Sequence, residues 1–94
     1  MASVAEIVRD LDSNRDVELA HGVSIKAGAR DGYFRGTGQL RWEGDHQMVR
    51  RELGFWVDAS VQNGFEVARR AVELIALLES QRCAQDVLDL GMAA

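Results

Sequence analysis

The chain contains no proline, a single cysteine and a single lysine, and each scarcity narrows what it can be. Without proline, and without repeats or low-complexity tracts, nothing marks a linker, so residues 1–94 are read as one domain. Cys83 has no partner for an internal disulfide, so nothing requires an oxidising compartment. No segment approaches the roughly 20 apolar residues of a membrane span, and the N-terminus lacks a long apolar run. These absences predict a soluble, cytoplasmic protein with no membrane partner. Lys26 stands beside ten arginines, a bias that suits phosphate or carboxylate recognition. GC-rich codon usage is the preferred explanation.

Catalytic signatures are missing too. There is no nucleophile elbow, paired His-x-x-x-His, CxxC or phosphate loop. His21, His46 and Cys83 show no metal-ligand spacing. The expectation is a non-enzyme without metal or cofactor. The net charge of −4 argues against nonspecific nucleic-acid binding, although a local patch can override it.

What is present is a globular pattern, with 47% apolar residues. Ser3 and Glu6 form a capping box, and Val4, Ile7, Val8 and Leu11 follow at helical spacing, which predicts an N-terminal helix within 1–12. From Val17 to Ala27 the chain alternates, with Val17, Leu19, His21, Val23, Ile25 and Ala27 on one face. Asp31-Gly32 is a two-residue hairpin signal. It sets Arg30 opposite Tyr33, Ile25 opposite Gly38, Val23 opposite Leu40 and His21 opposite Trp42. Residues 46–59 suit either a helix or a strand. Gly54 in a helix interior and a possible Gly44-Asp45 turn favour the strand. Asn63 and Glu66 make a second capping box, opening a helical region over 63–90. The fold class expected is α+β in the order α-β-β-β-α. A three-stranded antiparallel meander over 16–60 carries its helices on one face.

The last helical region holds the strongest signal. At about 100° per residue, Val67, Ala68, Ala71, Val72, Leu74, Ile75 and Leu78 share one arc. After Glu79-Ser80-Gln81-Arg82, the apolar stripe moves to the other side, carried by Cys83, Ala84, Val87, Leu88 and Leu90. Either the helix breaks near residue 80 and folds back, or it extends and buries its second stripe against another chain. Cys83, Ala84, Val87 and Leu88 are therefore the expected self-association residues of a homodimer.

Other candidates are weaker. Gly36 and Gly38 on the inner face imply a close approach, most simply by the helix over Phe65–Leu78. Arg51 would point inward and protect an edge strand. On the outer face, Lys26, Arg30, Tyr33, Arg35 and Trp56 gather cations beside aromatics, with Tyr33 and Trp56 cross-strand from each other. Such a patch suits a protein target or nucleic acid.

The element order is similar to that of double-stranded RNA-binding domains. Only Ala68-Arg69 within Glu66-Val67-Ala68-Arg69-Arg70 matches their Lys-Lys-x-Ala-Lys helix start, and Asp31-Gly32 replaces their Gly-Pro-x-His loop. The sequence thus points first to a protein-interaction module that self-associates and binds a larger protein, as an adaptor, chaperone-like, immunity or phage-type inhibitor protein does. The alternative is a nucleic-acid-binding domain using the basic aromatic end of the sheet.

Overall fold

The computed structural model describes residues 3–28 and 36–93, with side chains through Gln81. Helix α1 (Val4–Asp12) starts where the capping box puts it, with Ser3 Oγ accepting the Glu6 amide at 3.2 Å. Ile7 and Leu11 are buried, and Val4 and Val8 half-buried, along the expected stripe.

The stretch from Val17 to Ala27 is a hairpin and not one strand. β1 (Val17–Glu18) and β2 (Ser24–Ala27) pair antiparallel, with Val17 opposite Ile25 and Glu18 opposite Ser24. A 3-10 turn over Ala20–Gly22 reverses the chain, with φ of 59° at His21 and 74° at Gly22. The Leu19 amide closes it on the Val23 carbonyl at 2.9 Å. Alternation hides such a reversal, because the fold-back returns Val17 and Ile25 to the same face. His21 accordingly belongs to the turn, not to the inner face opposite Trp42.

β2 pairs antiparallel with β3 (Thr37–Arg41), but slipped by two residues from the expected register. Ile25 faces Leu40, and Ala27 faces Gly38. The Gly28 amide donates to the Thr37 carbonyl at 2.8 Å, whereas a two-residue Asp31-Gly32 loop would set Gly28 against Arg35. That turn, and the Arg30–Tyr33 pair, lie outside the described residues. A slip of two preserves the faces. Val23, Ile25 and Leu40 stay buried at 0–1% exposure, while Lys26 and Arg41 stay exposed.

Residues 46–59 do not form the expected strand. α2 (His46–Leu53) occupies the first part, and Asp45 caps it by accepting the Met48 amide at 3.1 Å. Gly44-Asp45 is thus a helix entry and not a hairpin turn. Gly54, which spoke against a helix, ends one: its φ is 75° and its amide reaches the Arg50 carbonyl at 2.9 Å. This is the left-handed C-cap position. Arg51 points outward, its side chain 69% exposed and 3.8 Å from Glu52, so it is no inward guard of an edge. Beyond Gly54, Phe55 and Val57 turn into the core, and the Asp58 amide donates to the Leu40 carbonyl at 2.8 Å. β4 (Gln62–Asn63) then pairs antiparallel with β3, Thr37 opposite Asn63.

The sheet order is β1-β2-β3-β4. The fold is α+β, with a four-stranded antiparallel sheet in place of three strands, and with α2 between β3 and β4. The α-β-β-β-α order, and the likeness to RNA-binding domains that it carried, are both superseded.

α3 (Gly64–Ala93) runs unbroken for 30 residues. Asn63 caps it as expected, accepting the Glu66 amide at 2.9 Å. Ser80 does not interrupt it, so the helix extends and does not fold back. Val67, Ala68, Ala71, Leu74 and Ile75 are fully buried, and α3 packs on α1, β2 and β3. The close approach at the glycines comes from α1 instead. A Cβ on Gly38 would lie 3.3 Å from both Leu11 methyls and 2.7 Å from Ile25 Cγ2, and one on Gly36 would lie 2.6 Å from the Leu11 carbonyl oxygen. Among the described residues, no helix is long and apolar enough to cross a membrane.

Candidate interaction surfaces

The first surface follows from where α3 leaves its neighbours. Among the described residues, its fully buried positions end at Ile75, with Leu78 half-buried behind them. Two polar contacts then mark the rim. His21 Nε2 approaches Glu79 Oε1 at 3.4 Å, and Gln81 Nε2 approaches the Met48 sulfur at 3.4 Å. The helix continues over residues 82–93, about 18 Å at 1.5 Å per residue. Cys83, Ala84, Val87 and Leu88 all belong to this continuation; their backbone is helical, and their side chains lie outside the described residues.

The outer sheet face is less of a unit than the sequence implied. Lys26 projects from β2 beside Gln39 of β3, and Arg41 Nη2 leans on Gln39 Oε1 at 3.4 Å. Trp56 precedes the residues that line the opposite edge of β3, so the width of that strand separates it from Lys26. Its ring is covered by the Arg50 guanidinium, 4.6 Å from the centroid. Arg30, Tyr33 and Arg35 lie outside the described residues, and the strand pairing meant to set Tyr33 across from Trp56 is replaced by α2. Acidic groups share the face. The Asp16 carboxylate accepts the Ala27 amide at 2.9 Å, while Gln39 donates to the backbone carbonyl of Asp58 at 3.3 Å, leaving the exposed Asp58 side chain beside it.

His46 and Trp42 form a corner that fixes the entry to α2. Their rings stack at 6.2 Å, the Trp42 indole lies over Gly44, and His46 Nε2 meets the Trp42 carbonyl at 2.6 Å. Arg70 serves packing as well, with its guanidinium 5.0 Å from the Phe55 ring centroid and 2.8 Å from Glu66. These groups are occupied in holding the fold. Among the described residues, no group of three His, Cys, Asp or Glu side chains converges as a metal site would require.

A surface that sequence reasoning missed lies between α1 and the start of α3. Val4, Ala5, Val8, Arg9, Asp12 and Phe65 line a groove of about 590 Å³. Phe65 is 63% exposed, an unusual state for a phenylalanine beside a small core. Asp12 Oδ1 is buried and has no hydrogen-bond partner among the described residues. Two signals were available. Phe65 falls outside the apolar arc of its helix, and Asp12 ends a helix where the macrodipole disfavours an anion.

No protein-family model, curated protein or solved structure matches this chain.

Proposed function

We propose that this is a non-catalytic, cytoplasmic interaction module that pairs with a second copy through the far part of α3 and docks on a larger protein. The supporting observation is the continuity of α3 past Gln81, the last residue with a described contact to the body of the fold. Ala76 and Ser80 are exposed on the helix. They begin a spacing of alternating four and three residues, Ala76, Ser80, Cys83, Val87 and Leu90, with Ala84 and Leu88 on its flank. That is the heptad seam of paired helices. Small side chains at its near end allow two backbones to approach, and larger ones follow. On this reading, α1 and the first part of α3 cover the sheet face bearing Ile25 and Leu40, which leaves the seam for the partner.

Burying a valine or leucine contributes about 1.5–3 kcal/mol. Two symmetric copies of the seam thus offset much of an association cost of roughly 4–15 kcal/mol. Sedimentation of the intact chain should report a dimer, and Val87→Asp with Leu88→Asp should give a folded species of half the mass. A monomeric intact chain, together with a double variant that unfolds, would defeat the proposal. The larger partner is sought by capture with the intact dimer. Binding that collapses steeply with salt would instead mark a nucleic acid.

A further inference from the structure

We infer that the groove between α1 and the start of α3 is a second, weaker self-association site, in which two copies meet about a two-fold axis. The inference goes beyond the α3 pairing and uses none of its residues. The patch contains everything needed to complement itself. Phe65 stands out from the surface as a knob, and Val4, Ala5 and Val8 line the hollow beside it. Arg9 and Asp12 line the same groove, and neither makes an ion pair among the described residues. A two-fold axis places each Phe65 in the other copy's hollow and each Arg9 beside the other copy's Asp12.

Asp12 gives this arrangement its direction. Its carboxylate ends α1, where the helix dipole is unfavourable to an anion. One of its oxygens is withdrawn from water with no donor in return among the described residues. A guanidinium from a second copy, meeting the carboxylate where it opens into the groove, offsets the unfavourable dipole. Its own Arg9, one turn back on the same helix, does not reach it. A wholly apolar partner would leave the carboxylate stranded, and an acidic one would be repelled. A second copy supplies the cation and the aromatic knob together.

Six residues line the groove, against the roughly 20–30 a side of a standard stable complex. It acts at higher concentration than the α3 seam, joining dimers into larger assemblies.

Sedimentation over a concentration series separates the two contacts. The Val87→Asp, Leu88→Asp chain should still dimerise reversibly, on the order of 100 µM, and adding Phe65→Glu should abolish that step. Arg9→Asp and Asp12→Arg should each weaken it about tenfold or more, while the two together restore it. Phe65 is exposed enough that Phe65→Glu leaves the circular dichroism spectrum unchanged, so its loss of association reads the contact and not the fold. Dimerisation of the seam variant that is absent, or indifferent to Phe65→Glu, overturns the groove contact and leaves the α3 reading standing. If the seam substitutions leave the mass unchanged and Phe65→Glu alone lowers it, the α3 reading fails and the groove contact stands.

Discussion

Gly54 holds φ at 75° with nothing within 4 Å of where a Cβ would lie, whereas a Cβ on Gly38 would crowd Ile25 and Leu11 in the core. The two positions therefore respond differently to the same change. Gly54→Ala places a side chain in the left-handed region and should lose about 1–2 kcal/mol. Gly54→Asn should lose less, since asparagine tolerates that conformation. Gly38→Ala meets an obstacle instead of a backbone preference, and should lose about 1–3 kcal/mol by overpacking. Asparagine should rescue nothing there. Urea titration of the three variants checks the pattern, which is reversed if Gly54→Asn is the worst.

Helices announce their beginnings locally, and this is why element starts were legible. Ser3 with Glu6 and Asn63 with Glu66 are bonds between residues three apart, so each can be read without the rest of the molecule. Asp45 is the same kind of cap, obscured because Gly44-Asp45 also spells a hairpin turn. Asp45→Ala should loosen α2 by about 0.5–2 kcal/mol. It should accelerate hydrogen exchange at Met48 and Val49 before it affects Leu74 or Ile75. Equal acceleration throughout would mean that α2 and α3 open as one unit.

Reversals were harder. Nothing in the alternation from Val17 to Ala27 distinguishes one long strand from a hairpin, and only the His21-Gly22 pair at positive φ betrays the turn. The β2–β3 register also depends on distant packing, with Leu11 of α1 seated over Gly38. The candidate site divided in the same way. The α3 stripe was visible as a period, whereas the groove needs Phe65 and Asp12, 53 positions apart in sequence, to be neighbours in space.

For the whole molecule, the question is how far the cooperative core extends along α3. Among the described residues, the buried side chains end at Ile75 and the rim contacts at Gln81. A chain ending at Gln81 should therefore unfold cooperatively, with a midpoint near that of the Val87→Asp, Leu88→Asp protein. Thermal denaturation compares them, and a truncated chain that fails to fold would place residues 82–93 within the core.

Because α3 passes from the core to its far end without a hinge, it behaves as a shaft, not as a tether. Ala68 and Ala71 are its bearings, fully buried in the core. Whatever is fastened to the far end is held at a definite azimuth as well as a definite reach. Four residues inserted after Gln81 would carry that cargo about 6 Å outward and turn it by about 40°. A flexible linker would absorb the same insertion without reorienting anything.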